Sequence, residues 1–418
     1  MGGSTYAEGH ILVGSAPVPE PEQSSTDSAS VVSSPRGDEP SVELTDTGLS
    51  AGIEAEDLGP SHRAPFDPEL IDVYPRATTI DLMLQRLKHG LIDLQPDFQR
   101  RSGIWNEAAQ SRLIESLLLR IALPTIYVAE EADDSWTVVD GVQRLTTIVR
   151  FVKPEAAGLE PLVLRNLEYL DYNGMTFEDL PGRMQTRISE TELSLLLIRK
   201  GTPEEARFNI FTRINTGGLP LSQQELRHAL IPGPARDLLA RLAESPFFLD
   251  ATASSVSPSR MAERELCLRF LAFWMTQPER YITQDFDGFL RAAMHRINKL
   301  TPSELEELEA CFYLAMVDSR RVFGDQAFRK QFDTSVRRYP INKALFEVQA
   351  VSLARCTAEE IKVLSERVDT VAVKFQKLMD DPDFYDAISS GTGDANKVNY
   401  RFQSMKDLFR EVLESTDA

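Results

Sequence analysis

Little in this 418-residue chain carries chemistry of the familiar kinds. Its three cysteines, Cys267, Cys311 and Cys356, are far apart in apolar helical patterns, with neither the paired spacing of a zinc site nor the density of a disulfide scaffold. They read as reduced, buried thiols. Of the five histidines, His62, His89, His228 and His295 have no metal-ligand spacing, and residues 296–418 contain no histidine at all. The absence of a Gly-x4-Gly-Lys-Ser/Thr sequence excludes a P-loop NTPase. No apolar run approaches the roughly 18 residues needed to span a bilayer, and the N-terminus has neither a charged n-region nor an apolar h-region. These absences predict a soluble, cytoplasmic protein that makes no use of the membrane.

What is there is a globular composition, 42% hydrophobic, with a net charge of −19. The charge is uneven: −9 over residues 1–66, −6 over 67–232 and −4 over 233–418. The part expected to fold is therefore only mildly acidic. That argues against a protein that coats nucleic acid nonspecifically, and leaves room for a local basic groove. Residues 1–66 are rich in Ser, Pro, Glu, Asp and Gly and nearly devoid of aromatics. Such a segment buries too little apolar surface to offset its chain entropy, so it is expected to be a disordered acidic leader.

From residue 67 to 232 helical and strand patterns mix. Thr79–Lys88 has helical spacing, stopped at Gly90, while Asn106 is placed to cap a helix reaching about Arg120. Leu123–Ala129 and Trp136–Asp140 read as strands paired in a hairpin across Asp133-Asp-Ser135. A helix then starts after Gly141 and ends before Pro154; the strand Leu193–Ile198 and the helix Pro203–Ile214 follow. Beyond 232 strand signals almost vanish. Helical spacing recurs over 235–244, 260–275, 286–300, 302–323, 341–354, 358–379 and 397–414. The expected class is α+β, with an all-helical second domain over 233–418.

Three segments carry candidate chemistry. In Asp140-Gly-Val-Gln-Arg144 a strand breaks and restarts as a helix, which aims backbone N–H groups and a guanidinium at one point, an arrangement suited to phosphate. Gly141 permits the turn, Gln143 and Arg144 fall in the first helical turn, and Asp140 is placed to hold a divalent metal, a ribose hydroxyl or a water. The same residues also suit a plain turn in which Arg144 pairs with a nearby carboxylate. In Pro96-Asp-Phe-Gln-Arg100-Arg101, adjacent guanidiniums favour an anion between them, or else are solvated surface charge. In Phe211-Thr-Arg-Ile-Asn215-Thr-Gly-Gly218-Leu-Pro-Leu-Ser222-Gln-Gln-Glu225, Ser222 and Glu225 form a capping box, and Arg213 and Asn215 stand beside a Gly-Gly turn as ligand contacts. Arg320-Arg321 and Arg337-Arg338 read as helix-surface charge or as a nucleic-acid face.

Together, a Gln-Arg followed by a Trp and a Leu-Ile-Glu-Ser helix, then Asp-Gly-x-Gln-Arg, then Ile-Asn-Thr-Gly-Gly-x-Pro-Leu-Ser resemble one family over about residues 70–230. It is the ParB/sulfiredoxin-like domain of unknown function 262 family, the Asp-Gly-Gln-Gln-Arg domain that forms the N-terminal part of GmrSD restriction enzymes and of SspE. The resemblance implies a ParB/sulfiredoxin-like nucleotide-binding domain over 67–232 that hydrolyses an NTP (GTP, ATP or another) with Mg²⁺. By the same resemblance, Asp140, Gln143 and Arg144 are catalytic, Asp140 also being the metal ligand, and Gln99, Arg100, Gly141, Arg144, Arg213 and Asn215 contact the nucleotide. Val142 stands where the family has its first glutamine; if that amide orients water or phosphate, hydrolysis is weakened and binding kept.

The family's C-terminal His-Asn-His nuclease is expected to be missing or to belong to another chain, since no histidine follows residue 295. The expected function is thus a nucleotide-binding, NTP-hydrolysing component of an anti-phage or modification-dependent restriction system, with DNA and a separate nuclease subunit as partners. The alternative is a noncatalytic ParB-like DNA-binding or adaptor protein that recruits a nuclease.

Overall fold

A computed structural model describes residues 41–44, 50–59, 67–94, 105–131, 133–214, 221–283, 285–331 and 338–415. Seven strands lie among them: β1 (Val42–Leu44), β2 (Ser50–Glu54), β3 (Val73–Thr79), β4 (Ile92–Asp93), β5 (Ile126–Glu130), β6 (Trp136–Asp140) and β7 (Glu192–Ile198). The first part of the chain carries helices α1 (Ile80–Lys88), α2 (Glu107–Leu118), α3 (Val142–Val152), α4 (Gly182–Ser189), α5 (Glu204–Ile214) and α6 (Gln223–Leu230). The second carries α7 (Pro234–Glu244), α8 (Pro246–Ala251), α9 (Ala262–Met275), α10 (Phe286–Ile297), α11 (Pro302–Phe323), α12 (Lys343–Ala354), α13 (Ala358–Glu366), α14 (Val368–Met379), α15 (Pro382–Ser389) and α16 (Ala395–Glu414). The class is α+β, a sheet region followed by an all-helical one.

A mixed five-stranded sheet, ordered β3-β7-β5-β6-β4, organises the first part. β5 and β6 pair antiparallel as the hairpin expected from the sequence, with Val128 opposite Val138. β7 lies parallel to β5, and β4 parallel to β6. β3 has Pro75 and Arg76 inside it and no clean alternation, so its place at the edge beside β7 was not legible from pattern. Side chains alternate across the sheet with period two. Val128, Val138 and Leu197 face one cluster with Ile80 and Met83 of α1, Ile114 and Leu117 of α2, Ile148 of α3 and Ile188 of α4. Ala129, Val139 and Ile198 face the other way, onto Phe208 and Phe211 of α5 and Leu226 of α6.

That second face belongs to the same core as the helical region, where Leu266, Phe270, Phe312 and Phe346 are fully buried. The boundary expected at 232 therefore does not separate two cores, and residues 40–418 form one compact unit. α12 is the axle of the helical part: its residues are buried nearly all round, and α9, α11 and α16 pack on it. The long helix expected over 358–379 is two, broken at Arg367, whose backbone leaves the helical region.

The expectation of a disordered leader over 1–66 is corrected for residues 41–44 and 50–59. β1 and β2 pair antiparallel, and β2 docks on the helical region, with Glu54 N donating to Ile341 O at 2.8 Å and Ile341 N to Gly52 O at 2.9 Å. Gly52 has φ +75°, and a Cβ there would lie 1.7 Å from Ser255 O, so only glycine permits the approach. Ile53 is fully buried. The acidic residues that suggest a solvating leader are here counter-ions: Glu56 grips Arg269 with both oxygens, Glu54 accepts from Lys330 at 2.6 Å, and Glu43 from Lys343 at 2.7 Å. Composition missed this because the partners lie more than 200 residues away.

Candidate functional site

Strand β6 ends at Asp140 and α3 begins at Val142, with Gly141 between them at φ +93°. A Cβ at 141 would meet Ile126 Cγ1 at 2.9 Å and Arg144 Nη2 at 3.3 Å, so the turn needs glycine for its conformation and for the close approach of the guanidinium. Among the described residues no side chain caps the start of α3. The N–H groups of its first turn are therefore left to solvent or to a ligand, at the positive end of the helix dipole.

Arg144 lies across this turn. Its Nη2 donates to Asp140 Oδ2 at 2.6 Å, and its Nη1 donates to Thr125 O at 3.2 Å and to Pro124 O. The side chain is 12% exposed against 35% for Asp140. Three bonds thus hold the guanidinium, leaving the Nε–H and one Nη2–H of its five donors outside them. The pairing of Arg144 with a carboxylate, the plainer of the two expectations, is present, and it sits beside the start of α3. Pro124 and Thr125 were missed as partners, because a backbone carbonyl leaves no mark on side-chain pattern.

Gln143 is half-buried in the same turn, its carbonyl accepting from Thr147 Oγ1 at 2.7 Å. Val142 faces inward, 6% exposed, in the cluster with Ile126, Leu145 and Ile148. The position that departs from the family motif thus packs the core. Arg213 is exposed on the last turn of α5. Both α5 and α6 contact β6, which brings the third motif to the strand that ends in Asp140. Asn215, Gly217 and Gly218, and likewise Gln99, Arg100 and Arg101, lie outside the described residues. β4 runs parallel to β6, so Leu94, which follows it, lies toward the sheet end that carries Asp140.

Other motif residues hold the fold. Ser222 and Glu225 form the capping box of α6, with Ser222 N donating to Glu225 Oε2 at 2.6 Å and Glu225 N to Ser222 Oγ at 3.1 Å. Glu115, in the Leu-Ile-Glu-Ser helix, accepts the N–H groups of Glu168, Tyr169 and Leu170 at 2.8–3.0 Å. Burial acts to raise its pKa, but these three bonds outweigh it and hold the carboxyl below its usual value. Arg320 and Arg321 pair with Asp325 and Asp318, and Arg338 with Asp325; Arg337 lies outside the described residues.

The three cysteines are free, and burial pushes the Cys356 thiol up to about 12, far from a reactive thiolate. A cleft of about 930 Å³ in the helical region is lined by Arg355, Cys356, Phe402 and Lys406, none of them from the motifs. Among the described residues no group of three or more His, Cys, Asp or Glu is placed to hold a metal ion, and no helix is long and apolar enough to cross a membrane.

Compared with known families, residues 80–232 match the model for the GmrSD restriction endonuclease, N-terminal domain. No curated protein and no solved structure matches the chain. The matched segment runs from the first residue of α1 to just past α6 and contains the Asp140–Arg144 turn and the capping box, so this part of the chain belongs to the GmrSD N-terminal, Asp-Gly-Gln-Gln-Arg-type domain family.

Proposed function

We propose that the chain is a nucleotide-binding, NTP-hydrolysing component of a restriction or anti-phage system, acting on DNA together with a nuclease carried by another chain. The observation that carries this reading is the uncapped N-terminus of α3 at Gly141, with the Arg144 guanidinium pinned beside it. Phosphate oxygens would take the N–H groups of the first turn and the free edge of Arg144, whose remaining bonds fix its orientation in advance. Gln99, Arg100, Arg213 and Asn215 complete the nucleotide contacts in this reading, as the resemblance to ParB/sulfiredoxin-like domains implies.

Asp140 is the carboxylate at the turn. A single carboxylate does not make an all-protein cage, but it suits Mg²⁺, which is commonly held by one or two carboxylates and the substrate's own phosphates. Asp140 would hold such an ion, which would neutralise charge developing on the phosphates. Gln143, in the first helical turn, would orient the attacking water. Nucleotide binding and phosphate release with each NTP, with and without Mg²⁺, test this. Wild type should bind and turn over at least one NTP, and Arg144→Ala should lower its affinity at least tenfold; no binding of any nucleotide would end the proposal.

A noncatalytic DNA-binding or adaptor role is the second reading, favoured by the engagement of Arg144 with Asp140, Pro124 and Thr125 in the ligand-free chain. Under it, Arg144→Ala destabilises the fold and leaves nucleotide affinity unmeasurable in both proteins.

A further inference from the structure

Beyond the turn, one surface groove stands out in an otherwise acidic molecule. It has a volume of about 590 Å³ and is lined by Arg120, Arg183, Thr186, Arg187, Glu190 and Thr191. Arg183 and Arg187 sit one turn apart on α4, so their side chains share a face. Arg120 follows the end of α2, 63 residues earlier in the chain. Arg187 is positioned by donating Nη1 to Leu118 O at 2.7 Å, and Arg120 and Arg183 are exposed. Among the described residues no carboxylate pairs with any of the three, and even Glu190, which also lines the groove, lies beyond ion-pair distance. Three like charges converging on one groove repel each other unless an anion lies between them.

The backbone at Arg120 gives a second, independent sign. Ile121 N donates to Ser116 O at 2.8 Å and Arg120 N to Leu117 O at 3.0 Å, the bond pair of a Schellman helix end. Its left-handed position is usually glycine, yet here it is Arg120 at φ +61°. The chain bears a conformational cost to present a guanidinium where glycine would fit without strain.

We propose that this groove binds the phosphate backbone of a nucleic-acid duplex. It is open and lined by guanidiniums and hydroxyls, the groups that contact backbone phosphates. It has no aromatic side chain on which unpaired bases could stack, which disfavours a single strand. The groove also lies at the sheet end that carries Asp140. Thr191 directly precedes β7, and Pro124 and Thr125, which hold Arg144, follow Arg120 by four and five residues and lead into β5. β5 and β7 both start at that end, with Tyr127 opposite Asp140. The inference does not rest on nucleotide binding at the turn.

The test is fluorescence anisotropy of the full chain with a labelled duplex of about 20 base pairs, as DNA and as RNA, and with the single strand, over about 50–200 mM salt. Wild type should bind duplex with an affinity that falls steeply with salt, each arginine contributing about 0.9 to the slope of log K against log salt. Arg120→Glu with Arg183→Glu should weaken duplex binding at least tenfold and flatten the slope by about 2. Arg120→Gly should weaken it while keeping or raising the unfolding temperature, which separates loss of contact from loss of fold. A preference for DNA or RNA identifies the natural source. The proposal is overturned if wild type binds no duplex, if it binds the single strand alone, or if the arginine variants bind as tightly as wild type with the same salt slope.

Discussion

The identity of residue 142 is read differently once its side chain is placed. By comparison with its family's motif, Val142 is a lost amide and a loss of chemistry; in the folded chain it is a core contact, 6% exposed among Ile126, Leu145 and Ile148. Restoring the amide should therefore cost stability. Val142→Gln buries a carboxamide among apolar groups and is expected to destabilise the protein by about 1–3 kcal/mol, read as a lower midpoint in urea, without raising phosphate release. A variant of unchanged stability and faster turnover would show that position 142 addresses the ligand after all.

At the scale of elements, the β1–β2 hairpin is bound to the helical region through charge. Arg269 is held by Glu56, by Glu265 at 2.8 Å and by Glu347 at 3.6 Å, and Arg401 pairs with Glu347; all five side chains are buried or nearly so. Removing one member leaves the others in a medium that cannot solvate them, so Glu56→Ala is expected to cost about 3–5 kcal/mol in denaturant unfolding. Burial alone would raise the carboxyls of Glu56 and Glu265, but Arg269 and Lys343 outweigh it and hold both below the usual range. Groups depressed in the folded state contribute stability that is complete above their unfolded value near 4.5 and is lost as pH falls through the folded one. Glu347, raised by burial against Arg401 and Arg269, works the other way. With two depressed groups against one, the unfolding midpoint should decline as pH drops below about 4.5, and Glu56→Ala should flatten that decline. A midpoint independent of pH between 3 and 6 in wild type would contradict the assignment.

Across the whole molecule, the sheet is a shared wall. One face closes the small cluster under α1–α4; the other, with α5 and α6, is continuous with the helical core. Residues 67–232 expressed alone would expose Phe208, Phe211 and Leu226, side chains buried in the full chain. That fragment should aggregate or bind a hydrophobic dye, whereas the full chain should unfold in one calorimetric transition. Two separate transitions, or a monomeric folded fragment, would restore the boundary at 232.

By itself the sequence determined the local elements and the shape of the central turn: the strand ending at Asp140, the helix that starts after Gly141, the Asn106 cap and the Ser222–Glu225 capping box all follow from short-range stereochemistry and periodicity. The α+β class and the family of residues 80–232 were legible for the same reason, since motif spacing along the chain survives without knowledge of contacts. What only the tertiary structure decided are the pairings between residues distant in sequence. They include the burial of Glu54 and Glu56 against Lys330 and Arg269, the capture of Arg144 by the Pro124 and Thr125 carbonyls, and the convergence of Arg120 with Arg183 and Arg187. Whether a charge is solvated, neutralised or left facing a groove depends on what the fold brings opposite it, and composition and periodicity do not record that.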